Sequence, residues 1–117
     1  DSIMIEIKGI DINNIANNIE PFDPTHPGEV IKDEIEYRGI SEEKLATETG
    51  ISLSALKDVL NGKQPVTTEY ALLFEAALGV PAHTLIEMQA DYNLIKIKRN
   101  PTFMERLKQV RKFAAAL

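Results

Sequence analysis

The sequence predicts an all-α protein whose second and third helices form a helix-turn-helix. Apolar residues recur at helical spacing through most of the 117-residue chain. Glycine or proline residues separate the helical stretches. Two of these stretches are short and lie on either side of Gly50, a spacing that fits two helices packed across a tight turn.

The helix-turn-helix is predicted over residues 41–62. Ser41 and Ser52 can cap its two helices, because a serine hydroxyl accepts hydrogen bonds from free backbone amides at a helix start. Gly50 permits the positive φ angle of the turn, and Ile51 can fill the corner. The predicted inward residues are Leu45, Ala46, Leu56, Val59 and Leu60. Such a pair can present its second helix to a DNA major groove, and an ordinary αα corner is the alternative.

Three further helices complete a predicted five-helix bundle, and a sixth follows it. The first runs from Pro27 to Gly39, with Val30, Ile31 and Ile35 as its apolar stripe. The fourth precedes Gly79 and is the most hydrophobic, and its core is predicted to include Leu72, Leu73 and Phe74. The fifth begins at Pro81 and clusters Leu85, Ile86, Met88, Gln89 and Tyr92 on one face.

The last helix follows Asn100 and Pro101, which interrupt the fifth. It is amphipathic. Its predicted inward residues are Phe103, Leu107, Val110 and Phe113 or Ala114, and its outward residues are Arg106, Lys108, Arg111 and Lys112. At the other end of the chain, Ile3, Ile5 and Ile7 alternate with Met4, Glu6 and Lys8, which predicts a short strand or an extended arm. The predicted organisation is an N-terminal arm (1–23), a helix-turn-helix domain (24–95) and a basic C-terminal helix (96–117).

Charge is distributed unevenly along the chain. The net charge is -5, yet residues 96–117 carry seven basic side chains and one acidic one. Residues 1–36 carry nine acidic and two basic side chains. The basic C-terminal stretch can contact nucleic acid, an acidic partner or the protein's own N-terminus.

Several function classes find no support in the sequence. Cysteine is absent, which excludes disulfides, a thiol nucleophile and a cysteine-based zinc site. His26 and His83 stand in no metal-binding spacing, and His26 is interpreted as a cap or stacking residue. Asp33, Glu34 and Glu36 are interpreted as a solvated helix face. No enzyme activity, cofactor or metal is expected. The apolar runs are too short for a membrane span and no signal peptide is apparent, so a cytoplasmic protein without membrane association is expected.

The chain resembles the HigA-type antitoxins of the Xre family, also labelled VapI-like addiction-module antidote proteins, which have a lambda-repressor-like fold. The resemblance covers about residues 24–94. It is carried by PTHPGEVIKDEIEYRGIS, LATETGIS, LNGKQPVT, ALLFEAALG and PAHTLIEMQADYNL, which occur together at the right separations.

This resemblance implies a homodimeric, sequence-specific DNA-binding transcriptional regulator. Such a protein represses its own operon by binding double-stranded operator DNA, and it neutralises a cognate RNA-cleaving toxin of the RelE/HigB type. The residues that the resemblance places at the groove are Ser52, Leu53, Ser54, Lys57 and Asn61, with Lys63 near the phosphates. Asp58 could accept a hydrogen bond from a cytosine amine.

Four positions depart from the family pattern, which usually has a glutamine early in the first helix of the motif and more polar or basic residues on the second. They are Glu42, Leu53, Ala55 and Asp58. A carboxylate beside the phosphates would repel them. An alternative therefore stays open: a protein-interaction module on a helix-turn-helix scaffold with weak or lost DNA binding, whose acidic face binds a basic toxin.

Overall fold

The computed structural model describes residues 23–117. It contains six helices: α1 (Pro27–Arg38), α2 (Glu42–Thr49), α3 (Leu53–Leu60), α4 (Thr68–Leu78), α5 (Ala82–Lys98) and α6 (Pro101–Ala116). No strand occurs within residues 23–117. The predicted all-α fold, with the helix-turn-helix as its second and third helices, is confirmed. The predicted N-terminal strand or arm lies outside the described residues.

The core lies where the first five helices meet. Helix α3 packs on α1 and α2, and α5 packs on α4 and α1. Ile31, Leu56, Phe74 and Leu85 are fully buried at the centre. Every inward residue predicted for the helix-turn-helix is buried as well. The bundle therefore holds α3 by one face and leaves its opposite face available.

Helices α1 and α3 approach each other closely at Gly28. A Cβ atom at this position would lie 2.0 Å from the carbonyl oxygen of Val59. That distance is far below van der Waals contact with a backbone atom that cannot rotate away. Glycine is therefore required for the observed packing of α1 against α3.

His26 joins three parts of the bundle and is almost fully buried. Its Nδ1 accepts a hydrogen bond from the amide of Gly28 (2.9 Å), which caps α1. Its ring meets Tyr92 of α5 edge-on, with centroids 4.8 Å apart. Burial lowers the pKa of His26, although the charge of Glu29 and the backbone of Gln64 act in the opposite direction. Of the two roles predicted for His26, a cap or a stacking residue, the cap is confirmed.

Gln89 of α5 fixes the loop between α3 and α4. Its side chain is buried. Its Oε1 accepts a hydrogen bond from the amide of Val66 (2.8 Å), and its Nε2 donates to Asn93 (3.0 Å). Because both polar ends of the amide have partners, the residue can be buried at little cost.

Three predictions about apolar faces were wrong. Leu72 was predicted to be in the core, yet 54% of its surface is exposed, because α4 turns Ala71 and Phe74 inward instead. Ile86 is also exposed, beside the buried Leu85. In α6 no residue is fully buried, and Phe103, Val110 and Phe113 are exposed. Helix α6 packs on α5, but no other element within residues 23–117 covers this apolar face.

Candidate nucleic-acid interface

The turn between α2 and α3 is built from local hydrogen bonds. Ser41 Oγ accepts from the amide of Lys44 (3.0 Å) and Ser52 Oγ accepts from the amide of Ala55 (3.1 Å), so each helix begins with a side-chain cap. Gly50 has φ 77°, and its amide donates to the carbonyl oxygen of Ala46 (2.9 Å). Ile51 is buried in the corner. These contacts fix the orientation of α3 relative to α2.

The seven predicted DNA-contacting residues lie on or just after α3. The exposed ones are Ser52, Ser54, Lys57, Asn61 and Lys63. Leu53 and Asp58 are half-buried, and Leu53 packs partly against the core. The two serines stand at the start of α3, whose amides point toward an approaching anion. The exposed residues thus place hydroxyl, amide and ammonium hydrogen-bond donors along α3 and just beyond its two ends.

Asp58 supports the end of this surface through its backbone. Its carbonyl oxygen accepts hydrogen bonds from the amides of Lys63 (2.8 Å) and Gln64 (3.3 Å). Gly62 makes the sharp turn possible with φ 77°. As a result, Lys63 is held next to the last turn of α3, and its side chain stays exposed.

Lys57, the only basic residue within α3, pairs with an acid of α2. Its Nζ lies 2.9 Å from Oε1 of Glu42, and half of the Lys57 side chain stays exposed. The hydrogen bond to Glu42, followed by the charge of Glu42, raises the pKa of Lys57. The lysine therefore stays charged at neutral pH, but its charge is shared with a neighbouring carboxylate.

Lys32 of α1 was not predicted to belong to this surface. Its Nζ donates to Oδ1 of Asn61 (3.3 Å), which brings a third ammonium group to the exposed end of α3. Nothing in the local sequence indicated this contact, because the two residues are 29 positions apart. Only the packing of α1 against α3 brings them together.

The part of the chain that the structure describes offers neither a metal-binding cluster nor a membrane-spanning helix. No group of three or more His, Cys, Asp or Glu residues that could hold a metal ion occurs there. Among the helices of residues 23–117, none has the length and apolar composition needed to cross a membrane.

Residues 31–85, which contain α2, the turn and α3, match the helix-turn-helix family model. The matched residues include most of the buried core and all seven predicted DNA-contacting residues. No curated protein matches the sequence.

The fold is similar to three solved antidote or antitoxin structures. A protein assigned as an antidote of a plasmid maintenance system in Nostoc punctiforme is 28% identical, with a TM-score of 0.65, over 77% of this chain and 97% of that one. A HigA-family addiction module antidote from Coxiella burnetii is 24% identical (TM-score 0.64; 73% and 95% covered). The Pseudomonas aeruginosa antitoxin HigA, solved with the higBA promoter, is 23% identical (TM-score 0.61; 74% and 90% covered).

Proposed function

We propose that this chain is a sequence-specific DNA-binding transcriptional regulator, the antitoxin of a HigBA-type toxin–antitoxin system. As a homodimer in the cytoplasm it represses its own operon, and it neutralises a RelE/HigB-type toxin that cleaves RNA. The observation that carries the proposal is the exposed polar face of α3, capped by Ser52, in a helix-turn-helix domain similar in fold to antidote proteins. That role is regulatory rather than enzymatic.

The likeness to promoter-bound HigA supports a groove-binding role for α3. We propose that Ser52, Ser54 and Asn61 donate hydrogen bonds to bases or phosphates, and that Leu53 touches a thymine methyl group. Asp58 would accept from a cytosine amine. Lys57 and Lys63 would meet phosphates, with Lys32 beside Asn61 as a further positive charge.

A binding assay tests the repressor half of this proposal. The protein is titrated against its own upstream DNA and against a scrambled duplex across a salt series. We expect preference for the upstream DNA and a steep loss of affinity with rising salt, because bound lysines displace condensed counterions. Lys57→Ala and Lys63→Ala should each reduce the salt slope by about one, whereas Lys96→Ala on α5 loses the same charge outside the motif and should not.

The ion pair between Lys57 and Glu42 favours a second candidate function. In that case the scaffold is kept for protein binding, DNA contact is weak, and an acidic face of α1 binds a basic toxin. Equal binding to upstream and scrambled DNA at low salt would support it and contradict the repressor. The double variant Asp33→Asn with Glu36→Gln, both exposed on α1, should then slow toxin association, unlike Asp91→Asn on α5.

A further inference from the structure

The turn that follows α3 carries two of the proposed DNA contacts, Asn61 and Lys63, and both side chains are exposed. The turn is closed by few bonds. The amides of Lys63 and Gln64 both donate to the carbonyl oxygen of Asp58, at 2.8 and 3.3 Å. Gly62 has no side chain that could anchor the turn to the bundle. The position of the turn therefore depends on the residue that lies against it.

The ring of His26 lies against this turn. A Cβ atom at Gly62 would be 3.6 Å from Cγ and 3.8 Å from Cδ2 of His26, which is ordinary van der Waals contact. The imidazole also forms a hydrogen bond with the backbone of Gln64. Because Nδ1 already accepts from the amide of Gly28 (2.9 Å), the nitrogen that donates to the Gln64 carbonyl oxygen is Nε2. His26 thus joins the start of α1 to the turn through its two nitrogens.

Helix α5 keeps the ring of His26 in this place. Only 3% of the surface of His26 is exposed, and the ring of Tyr92 meets it edge-on, with centroids 4.8 Å apart. The same helix holds the chain just after the turn, because Gln89 accepts a hydrogen bond from the amide of Val66 (2.8 Å). The turn and the loop that follows it are therefore supported by α5, in part directly and in part through His26.

We propose that His26 is a positioning residue for DNA binding, which holds the turn over residues 61–64 so that Asn61 and Lys63 reach the DNA. The role rests on the proposed function, because it concerns the same DNA-binding surface. His26 is buried and does not touch DNA itself. Loss of its contact with the turn should therefore weaken the phosphate contact of Lys63 while the bundle stays folded.

Two substitutions separate the two nitrogens of His26. In His26→Asn the side-chain oxygen can replace Nδ1 as the cap of α1, but the shorter side chain does not reach Gln64. In His26→Gln the amide nitrogen can replace Nε2 as the donor to Gln64. We expect hydrogen exchange of the Lys63 amide to be about tenfold faster in His26→Asn and close to the unaltered rate in His26→Gln.

The Gly50 amide is the internal control for this exchange experiment, because it closes the turn after α2 by donating to Ala46 (2.9 Å). Its rate should not change in either variant. An unchanged Lys63 rate in His26→Asn would overturn the proposal. Equal acceleration at Gly50 and Lys63 would also overturn it, since it would show a general loss of stability. Exchange of Lys63 that is equally fast in both variants would contradict the role given to Nε2.

Binding to the upstream DNA shows whether the effect passes through Lys63. His26→Asn should reduce the salt slope by about one, as Lys63→Ala does. In a chain that already carries Lys63→Ala, the same substitution should reduce affinity less than it does in the unaltered chain. Additive losses would overturn the proposal.

Leu78→Val is the control for stability in the binding experiment. It shortens a buried side chain beside Arg38, at the opposite end of α1 from His26, and should leave DNA affinity unchanged. An equal loss of affinity in Leu78→Val and His26→Asn would overturn the proposal. If the unaltered chain does not prefer its upstream DNA, the proposed function is wrong, and the exchange rates of Lys63 still decide whether His26 holds the turn.

Discussion

At the residue scale, the ion pair between Glu42 and Lys57 competes with the phosphate contact that we propose for Lys57. The two side chains meet at 2.9 Å on the surface. A phosphate that binds Lys57 must compete with this carboxylate or be repelled by it. An exposed pair of this kind contributes little to stability, so its main consequence concerns binding.

We therefore expect Glu42→Gln to increase affinity for operator DNA. We expect roughly a two- to fivefold tighter Kd, because the carboxylate no longer competes with a phosphate for Lys57. Glu43→Gln removes the same charge from the next residue, which forms no ion pair among the described residues, and serves as the control. Fluorescence anisotropy on both variants measures the difference. Equal gains for the two would show that the pairing itself is irrelevant.

His26 should make stability depend on pH. Because burial lowers its pKa in the folded state, the unfolded chain binds a proton more readily. The stabilisation by neutral His26 is present above the unfolded pKa of about 6.5 and is lost as the pH falls toward the folded value. Protonation also removes the Nδ1 acceptor that caps α1.

Urea unfolding between about pH 7.5 and pH 5 measures this dependence. His26→Asn keeps a capping side chain but cannot titrate, so its stability should fall less over this range than that of the unaltered chain. His83→Asn changes an exposed histidine and should retain the full dependence. Identical pH profiles for the unaltered chain and His26→Asn would rule out the role given to His26.

At the element scale, the orientation of α3 depends on the close contact between α1 and α3. Gly28→Ala would place a methyl group 2.0 Å from the Val59 carbonyl oxygen, so the helices must separate. We expect a loss of about 1–3 kcal/mol in unfolding free energy, seen as a lower Tm by calorimetry. Glu36→Ala adds alanine at an exposed position of the same helix and should change stability little. An unchanged Tm for Gly28→Ala would contradict the described packing.

The elements that could be predicted from the sequence are those fixed by local chemistry. The caps at Ser41 and Ser52 and the turn at Gly50 depend on neighbouring residues alone, and all three were predicted. The Lys57–Glu42 and Lys32–Asn61 contacts were not, because they join residues 15 and 29 positions apart. For α6, the periodicity indicated an apolar face, but a pattern along one helix does not say which surface covers it.

At the scale of the whole molecule, residues 37–95 and residues 96–117 carry net charges of opposite sign. Residues 37–95 carry eight acidic and four basic side chains, and positive charge is concentrated after them. The proposed DNA surface therefore depends on a few lysines near α3, which lie among acids. We therefore propose that operator binding uses two copies on adjacent half-sites.

Footprinting of the protein's own upstream region tests the central claim most directly. For a homodimer that inserts α3 of each copy, we expect two protected half-sites centred about 10 base pairs, or a multiple of one helical turn, apart. Both should be lost together in Lys57→Ala with Lys63→Ala, and both should persist in Lys96→Ala. Protection without preferred position, or no protection at low salt, would contradict the assignment of this chain as an operator-binding repressor.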